Sequence, residues 1–252
     1  MKTIRLGWIL IPALLAGCRW SGNGPDGSGT IECTQVTVAP LVAGRIVEFP
    51  LQEGDAVKAG DLVATLEATD YELRRDEAAA VRAAAKADLD RIRAAFQKKS
   101  VTGKQMDDAQ AAHDLAQARF ALAEKAVADC TVRAPTGGVV TVRAREPGEY
   151  VAPGAPLVAI SRLDEVWLSV YIPADRLGRV KLGQPAQVKV DGDPKRYEGR
   201  VTFIASEAEF TPKNVQTPEE RVKLVYRVKI TLPNPDGVFK PGMPADGYLE
   251  PR

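Results

Sequence analysis

The sequence contains a single histidine. That excludes a metal site built from several imidazoles. Its methionines are scattered, with Met106 and Met243 far apart, so no thioether cluster stands in for the missing imidazoles. An excess of charge of one sign is missing too: the formal net charge is +1, which gives no general drive toward nucleic acid or an anionic membrane. No Gly-x-x-x-x-Gly-Lys phosphate loop occurs, so any ATPase must be a separate chain. His113 is the only histidine, and Cys130 is the obvious nucleophile to pair with it. On one helix they would stand ~25 Å apart at 1.5 Å rise per residue, beyond hydrogen-bond reach. No enzyme activity, cofactor or metal is expected.

The chain begins with Lys2 and Arg5, followed by "LGWILIPALLAGC" over residues 6–18. This apolar run is too short to span a ~30 Å hydrocarbon core and has the proportions of a secretory signal, residues 1–17. "LAGC" resembles the bacterial lipobox, which implies lipidation at Cys18. The Gly/Ser/Asn-rich stretch after it reads as a tether, residues 18–30. Export would permit a disulfide between Cys33 and Cys130; the alternative is two small buried hydrophobes.

One β-motif is written twice. "GRIVEFPLQEGDAVKAGDLVATL" (44–66) is answered by "GVVTVRAREPGEYVAPGAPLVAI" (138–160), with Gly44, Gly54 and Gly60 matching Gly138, Gly148 and Gly154. Neither half can bury a core alone; together they make a small two-layer sandwich from residues 31–70 and 131–163. Between them, residues 71–130 hold no proline and abundant alanine and charge, a helix composition. Met106, His113, Phe120 and Val127 recur every seven residues, as do Ala109, Ala116, Ala123 and Cys130. Tyr71, Ala78, Ala85 and Ile92 form a matching series, and Leu89 and Phe96 begin another. The spacing predicts an antiparallel coiled-coil hairpin with its turn in "KKSVTGKQ". Residues 164–252 alternate as strands around a short helix, "PADRLGRVKLG", and read as an antiparallel β-barrel. The fold class is mainly β with a long α-helical hairpin inserted.

Lipoyl-like half-motifs, an inserted hairpin and a following barrel, carried by "APLVAGRIVEFPLQEGDAVKAGDLVATLEATDYE", "VRAPTGGVVTVRAREPGEYVAPGAPLVAIS", "VWLSVYIPADRLGRVKLGQPAQVKV" and "FKPGMPADGYL", resemble the HlyD family of periplasmic adaptors, or membrane fusion proteins. "SEAEFTPKNVQTPEERVKLVYRVKI" is most similar to the branch that works with ABC-type exporters. The resemblance implies a non-catalytic homo-oligomer, a hexamer in the assembly, joining an inner-membrane transporter to a TolC-like outer-membrane channel. It places the channel contact at the hairpin tip, where the family has Arg-Leu, two residues, Leu, six residues, Ser. Arg91, Ile92, Ala95 and Thr102 stand at that spacing; Ala95 departs from it, and Phe96 beside it offers the apolar group. The resemblance also turns the loop carrying Thr211, Lys213 and Asn214 toward the transporter. A lipoyl or biotin carrier needs a lysine at the turn between the halves, and "LEATDYE" has none. A lipid-tethered envelope scaffold and an adaptor of an RND-type pump are the alternatives. The inner membrane is the expected anchor site, with the outer membrane the other option.

Overall fold

The computed structural model describes residues 24–210 and 224–249. The leader with Cys18, and Thr211, Lys213 and Asn214, lie outside the described residues.

The barrel is closed. β1 (Gly27–Val38), β13 (Pro244–Leu249), β9 (Pro185–Val190), β10 (Tyr197–Ile204), β12 (Leu224–Pro233) and β8 (Val158–Pro173) pair in that order, and β8 pairs back to β1. Every join is antiparallel. Closure removes the exposed strand edge that an open sheet presents. Alternate residues point inward, so Val166, Leu168, Val170 and Ile172 of β8 meet Val228, Ile230 and Leu232 of β12 at 0–1% exposure. Each such side chain contributes roughly 1.5–3 kcal/mol by leaving water. The helix expected in "PADRLGRVKLG" shrinks to α3 (Ala174–Leu177), a single turn behind Pro173.

The tether expected over residues 18–30 ends sooner than its composition suggests. Gly27–Thr30 belong to β1 and pair with Gly247–Pro244. The glycines there are packing positions, because a Cβ at Gly29 would lie 1.8 Å from the Ser169 carbonyl oxygen. The expected domain borders at residues 31 and 164 also fall inside strands, since β1 and β8 each run from the barrel into the sandwich. Where they cross, the register jumps from Cys33↔Val166 to Thr34↔Arg162, leaving residues 163–165 without partners on β1.

The sandwich repays its doubled sequence with doubled hydrogen bonds. Gly54 N–H donates to Val140 O at 2.8 Å, and Gly148 N–H donates to Ile46 O at 2.8 Å. Gly60 N–H donates to Ala134 O at 2.8 Å, and Gly154 N–H donates to Pro40 O at 2.9 Å. The step from Gly44 to Gly138 carries each bond of one half onto its counterpart in the other. Gly54, Gly60, Gly148 and Gly154 have φ of +95°, +91°, +90° and +80°, a region that disfavours side chains. β2 (Gly44–Glu48) pairs with β4 (Leu62–Leu66) and β7 (Tyr150–Val151), and β4 pairs with β5 (Thr131–Arg133). β3 (Ala56–Val57) pairs with β6 (Gly138–Arg143), which pairs with β8. Val63, Leu66, Leu157 and Ile160 fill the space between the layers.

Two long helices rise from this sandwich, α1 (Thr69–Gln97) and α2 (Gly103–Ala128). They pack on one another, with Leu89, Ala109 and Ala116 buried between them. The Arg82 guanidinium lies 3.8 Å over the Phe120 ring, so a charged residue covers an aromatic at the contact. Tyr71 donates its hydroxyl to Ala43 O at 2.8 Å, which roots α1 in the sandwich. Phe96, expected at the contact, is 44% exposed; α1 ends one residue later and Ala95 turns inward instead. Cys33 and Cys130 are free thiols: Cys130 sits in the sandwich core and Cys33 packs on the barrel core, so separate packing sites replace the bridge.

Candidate functional site

Among the described residues no group of three or more His, Cys, Asp or Glu could hold a metal. His113 is partly buried at the helix contact with Nδ1 3.3 Å from Asp114. Cys130 donates its thiol to Ala126 O, and burial, then Asp129 and Glu72, push its pKa up, opposite to an activated thiolate. What remains are surfaces.

The first is the tip of the helix pair. Arg91, Ile92, Ala95 and Phe96 fall in the last two turns of α1, and Thr102 lies across the turn. Arg91 points to solvent and pairs with Asp88 at 3.2 Å. Ile92 and Ala95 face the helix contact and are partly covered, whereas Arg91, Phe96 and Thr102 are exposed. Thr102 is committed locally: its hydroxyl accepts from Gln105 N–H, while the Gln105 side chain accepts from Thr102 N–H at 2.8 Å. This reciprocal cap satisfies donors that a helix start leaves free and stabilises it by about 1 kcal/mol. The turn is tightened by Lys99 at φ +58° and by Ser100 N–H donating to Ala95 O at 2.9 Å. Lys104 bonds Asp108 at 2.8 Å, which raises the Lys104 pKa.

The second is the outer wall of the barrel. Trp167 donates its indole N–H to Glu32 at 2.8 Å, and the Lys229 ammonium lies 4.4 Å from the Trp167 ring centre and 5.9 Å from that of Phe203. Beside this row an open groove of about 610 Å³ is lined by Glu165, Glu198, Arg200, Thr202 and Thr231. Sequence reasoning missed this row, because its members come from four strands with no shared spacing. It also missed Val81, Leu115 and Leu122, which are 48%, 55% and 70% exposed. Leu115 and Leu122 do recur seven apart, off the buried series, so that signal was present.

The comparisons follow the same division of the chain. The RND MFP, barrel-sandwich hybrid domain matches residues 34–161, and the CusB-like, beta-barrel domain matches residues 165–252. The chain belongs to the membrane fusion protein family. This membrane fusion protein is 30% identical to a UPF0194 membrane protein of Citrobacter koseri, over 96% of its own length and 95% of that protein's. It is 40% identical to a UPF0194 membrane protein of Acidithiobacillus ferridurans, over 69% of its length, and spans about half of that relative, 52%. Among solved structures, a MacA–MexA chimera carrying the Pseudomonas aeruginosa MexA α-hairpin domain aligns at TM-score 0.79 and 21% identity, covering 90% of this chain and 80% of that one. ZneB from Cupriavidus metallidurans aligns at TM-score 0.55 and 26% identity, covering 89% and 97%. At 21% identity the chimera shows the fold alone. No helix among the described residues is long and apolar enough to cross a membrane.

Proposed function

We propose that this membrane fusion protein is a non-catalytic periplasmic adaptor of an efflux assembly. A lipid on Cys18 would anchor it, with the inner membrane favoured. Its helices form a coiled-coil hairpin whose tip, around Arg91 and Phe96, meets a TolC-like outer-membrane channel. The loop with Thr211, Lys213 and Asn214 meets an inner-membrane transporter. Copies stand side by side, six in the full assembly, and enclose the export path. The observation that carries this reading is the order of parts: a sandwich split by one helix pair, followed by a closed barrel. An adaptor has to reach from one partner to another, and a helix of α1's 29 residues extends about 43 Å.

The transporter is assigned to the ABC type, on the similarity of "SEAEFTPKNVQTPEERVKLVYRVKI" to that branch. An RND-type pump is the second reading, supported by the two family descriptions that match. Photoreactive residues at Arg91 and at Asn214, each crosslinked in intact cells, test the bridge. A channel captured at Arg91 and an ABC permease at Asn214 is the expected result. An RND pump at Asn214 moves the reading to the second class. Capture of cell-wall proteins alone overturns both and leaves a tethered scaffold.

A further inference from the structure

β8 carries the chain to the end of the barrel farthest from the sandwich. From there α3 and residues 178–184 lead to β9, which stands opposite β8 in the ring of strands. The crossing therefore runs over the barrel's end and caps it. Val180 points inward from the cap and joins the barrel core at 8% exposure. The start of the described chain lies at this same end. Asp26 N–H donates to Gly247 O at 2.9 Å, and Gly27 packs against Tyr171 and Ile172, just ahead of α3.

The outer face of the cap is basic. Arg176, Arg179 and Lys181 are exposed there, against one carboxylate, Asp175. None of the three cations has an ion-pair partner among the described residues. Leu182, beside Lys181, is 66% exposed. The backbone holds this arrangement in place. Arg179 N–H donates to Arg176 O at 3.1 Å, Val180 N–H to Leu177 O at 2.9 Å, and Lys181 N–H to the Gln184 side-chain oxygen at 2.9 Å. The chain's net charge of +1 conceals this local excess. A basic turn with one projecting leucine suits an anionic lipid surface, where cations meet the headgroups and the leucine enters the boundary beneath them.

Reach brings that surface to the cap. Nine residue steps separate Cys18 from Gly27, and fully extended they span at most about 31 Å. A lipid on Cys18 therefore holds this end of the barrel near the membrane. Attraction to charged headgroups fades within about 8 Å at physiological salt, so only a face at this end comes under it. We infer that the Arg176–Leu182 cap docks on the anionic phospholipid surface of the membrane that carries the Cys18 lipid. A lipid on a tether fixes where a copy stands. A second contact also fixes its tilt. The inference rests on the lipid anchor of the proposed function and deepens it by naming the face that lies on the membrane.

The test uses the full chain in vesicles, with a bimane label on Leu182→Cys in a Cys33→Ser background. Cys130 is buried and stays unlabelled. Brominated phospholipid should quench the label in vesicles that contain phosphatidylglycerol, and not in pure phosphatidylcholine. The same label on Lys195→Cys, in the turn between β9 and β10 at the other end of the barrel, should stay unquenched in both. Added salt should relieve the quenching. Arg176→Gln, Arg179→Gln and Lys181→Gln should each lower the ratio of docked to free cap about fivefold. No quenching with phosphatidylglycerol, or equal quenching without it, overturns the inference. So does a photoreactive residue at Leu182 that captures a transporter rather than lipid in cells. The mass of the chain reports whether Cys18 carries lipid. A chain without lipid, still quenched when mixed with the anionic vesicles, keeps the inference and sinks the anchor. A lipidated chain without quenching does the reverse.

Discussion

Asn234 donates its side-chain amide to the Leu163 carbonyl at 2.8 Å, in the stretch where β8 leaves the barrel for the sandwich. The same side chain donates to Phe239 O at 3.0 Å and accepts from Phe239 N–H at 3.0 Å, while Asn234 N–H donates to Asp164 O at 2.9 Å. One residue, 4% exposed, satisfies the backbone that the register jump leaves unpaired. Asn234→Ala should therefore destabilise the protein by about 1–3 kcal/mol for the groups left unsatisfied. Urea unfolding with hydrogen exchange at Phe239 checks this. An unchanged midpoint and a still-protected Phe239 amide would show that the side chain carries no load.

The glycines separate into two kinds by cost. Gly29→Ala puts a methyl group into the Ser169 carbonyl and should cost about 3 kcal/mol by overpacking. Gly54→Ala meets no atom within 4 Å but must hold φ near +95°, a penalty of about 1–2 kcal/mol. Thermal melts of the two variants should rank in that order. The reverse order would mean that β1 relaxes easily at the barrel seam.

Leu89 and Leu122 look alike in sequence and differ in burial, at 3% and 70% exposed. Leu89→Ala should loosen the helix pair by about 2–5 kcal/mol, seen as faster amide exchange along α1 and α2. Leu122→Ala should change the stability of the monomer by less than about 0.5 kcal/mol. Equal effects would place Leu122 inside the pair.

Asp193 and Tyr197 bond at 2.7 Å, and their pKa values are displaced in opposite directions. The Lys195 backbone N–H, then the Tyr197 hydroxyl, hold the Asp193 pKa down; the bond to Asp193 holds the Tyr197 pKa up. The depressed carboxylate contributes stability above its ordinary value near 4, lost as pH falls through the folded value. The raised phenol contributes below its ordinary value near 10, lost as pH rises through the folded value. Between these limits the contribution should be flat. Asp193→Asn should bring one tyrosine back toward ordinary ionisation in an ultraviolet titration, and an unchanged titration would refute the coupling.

Much of this fold was legible because periodicity is local. The repeated glycines pointed to the sandwich, and the alternating valines of β8 and β9 to a barrel. The ends were not legible. "GSGT" reads as linker by composition, yet Gly27 and Gly29 lack side chains because β8 presses on them; only the paired strands reveal that. Phe96 follows the seven-residue series, but the contact has run out where α1 stops. At the tip, Arg91 was readable as an exposed charge, whereas the Thr102 hydroxyl is taken up by Gln105. The barrel-wall row of Glu32, Trp167, Phe203 and Lys229 depends on strand register, which no single segment encodes.

β1 has a mechanical consequence. It lies between β13 and β8 rather than at a border, and both neighbours run antiparallel to it. A pull on the chain ahead of Gly24 would load β1 along its own axis. Bonds to both neighbours would then share the force in parallel, instead of opening one after another as a peeled edge does. A body held by its amino-terminal lead and tugged through its barrel is thus gripped where it resists tension best.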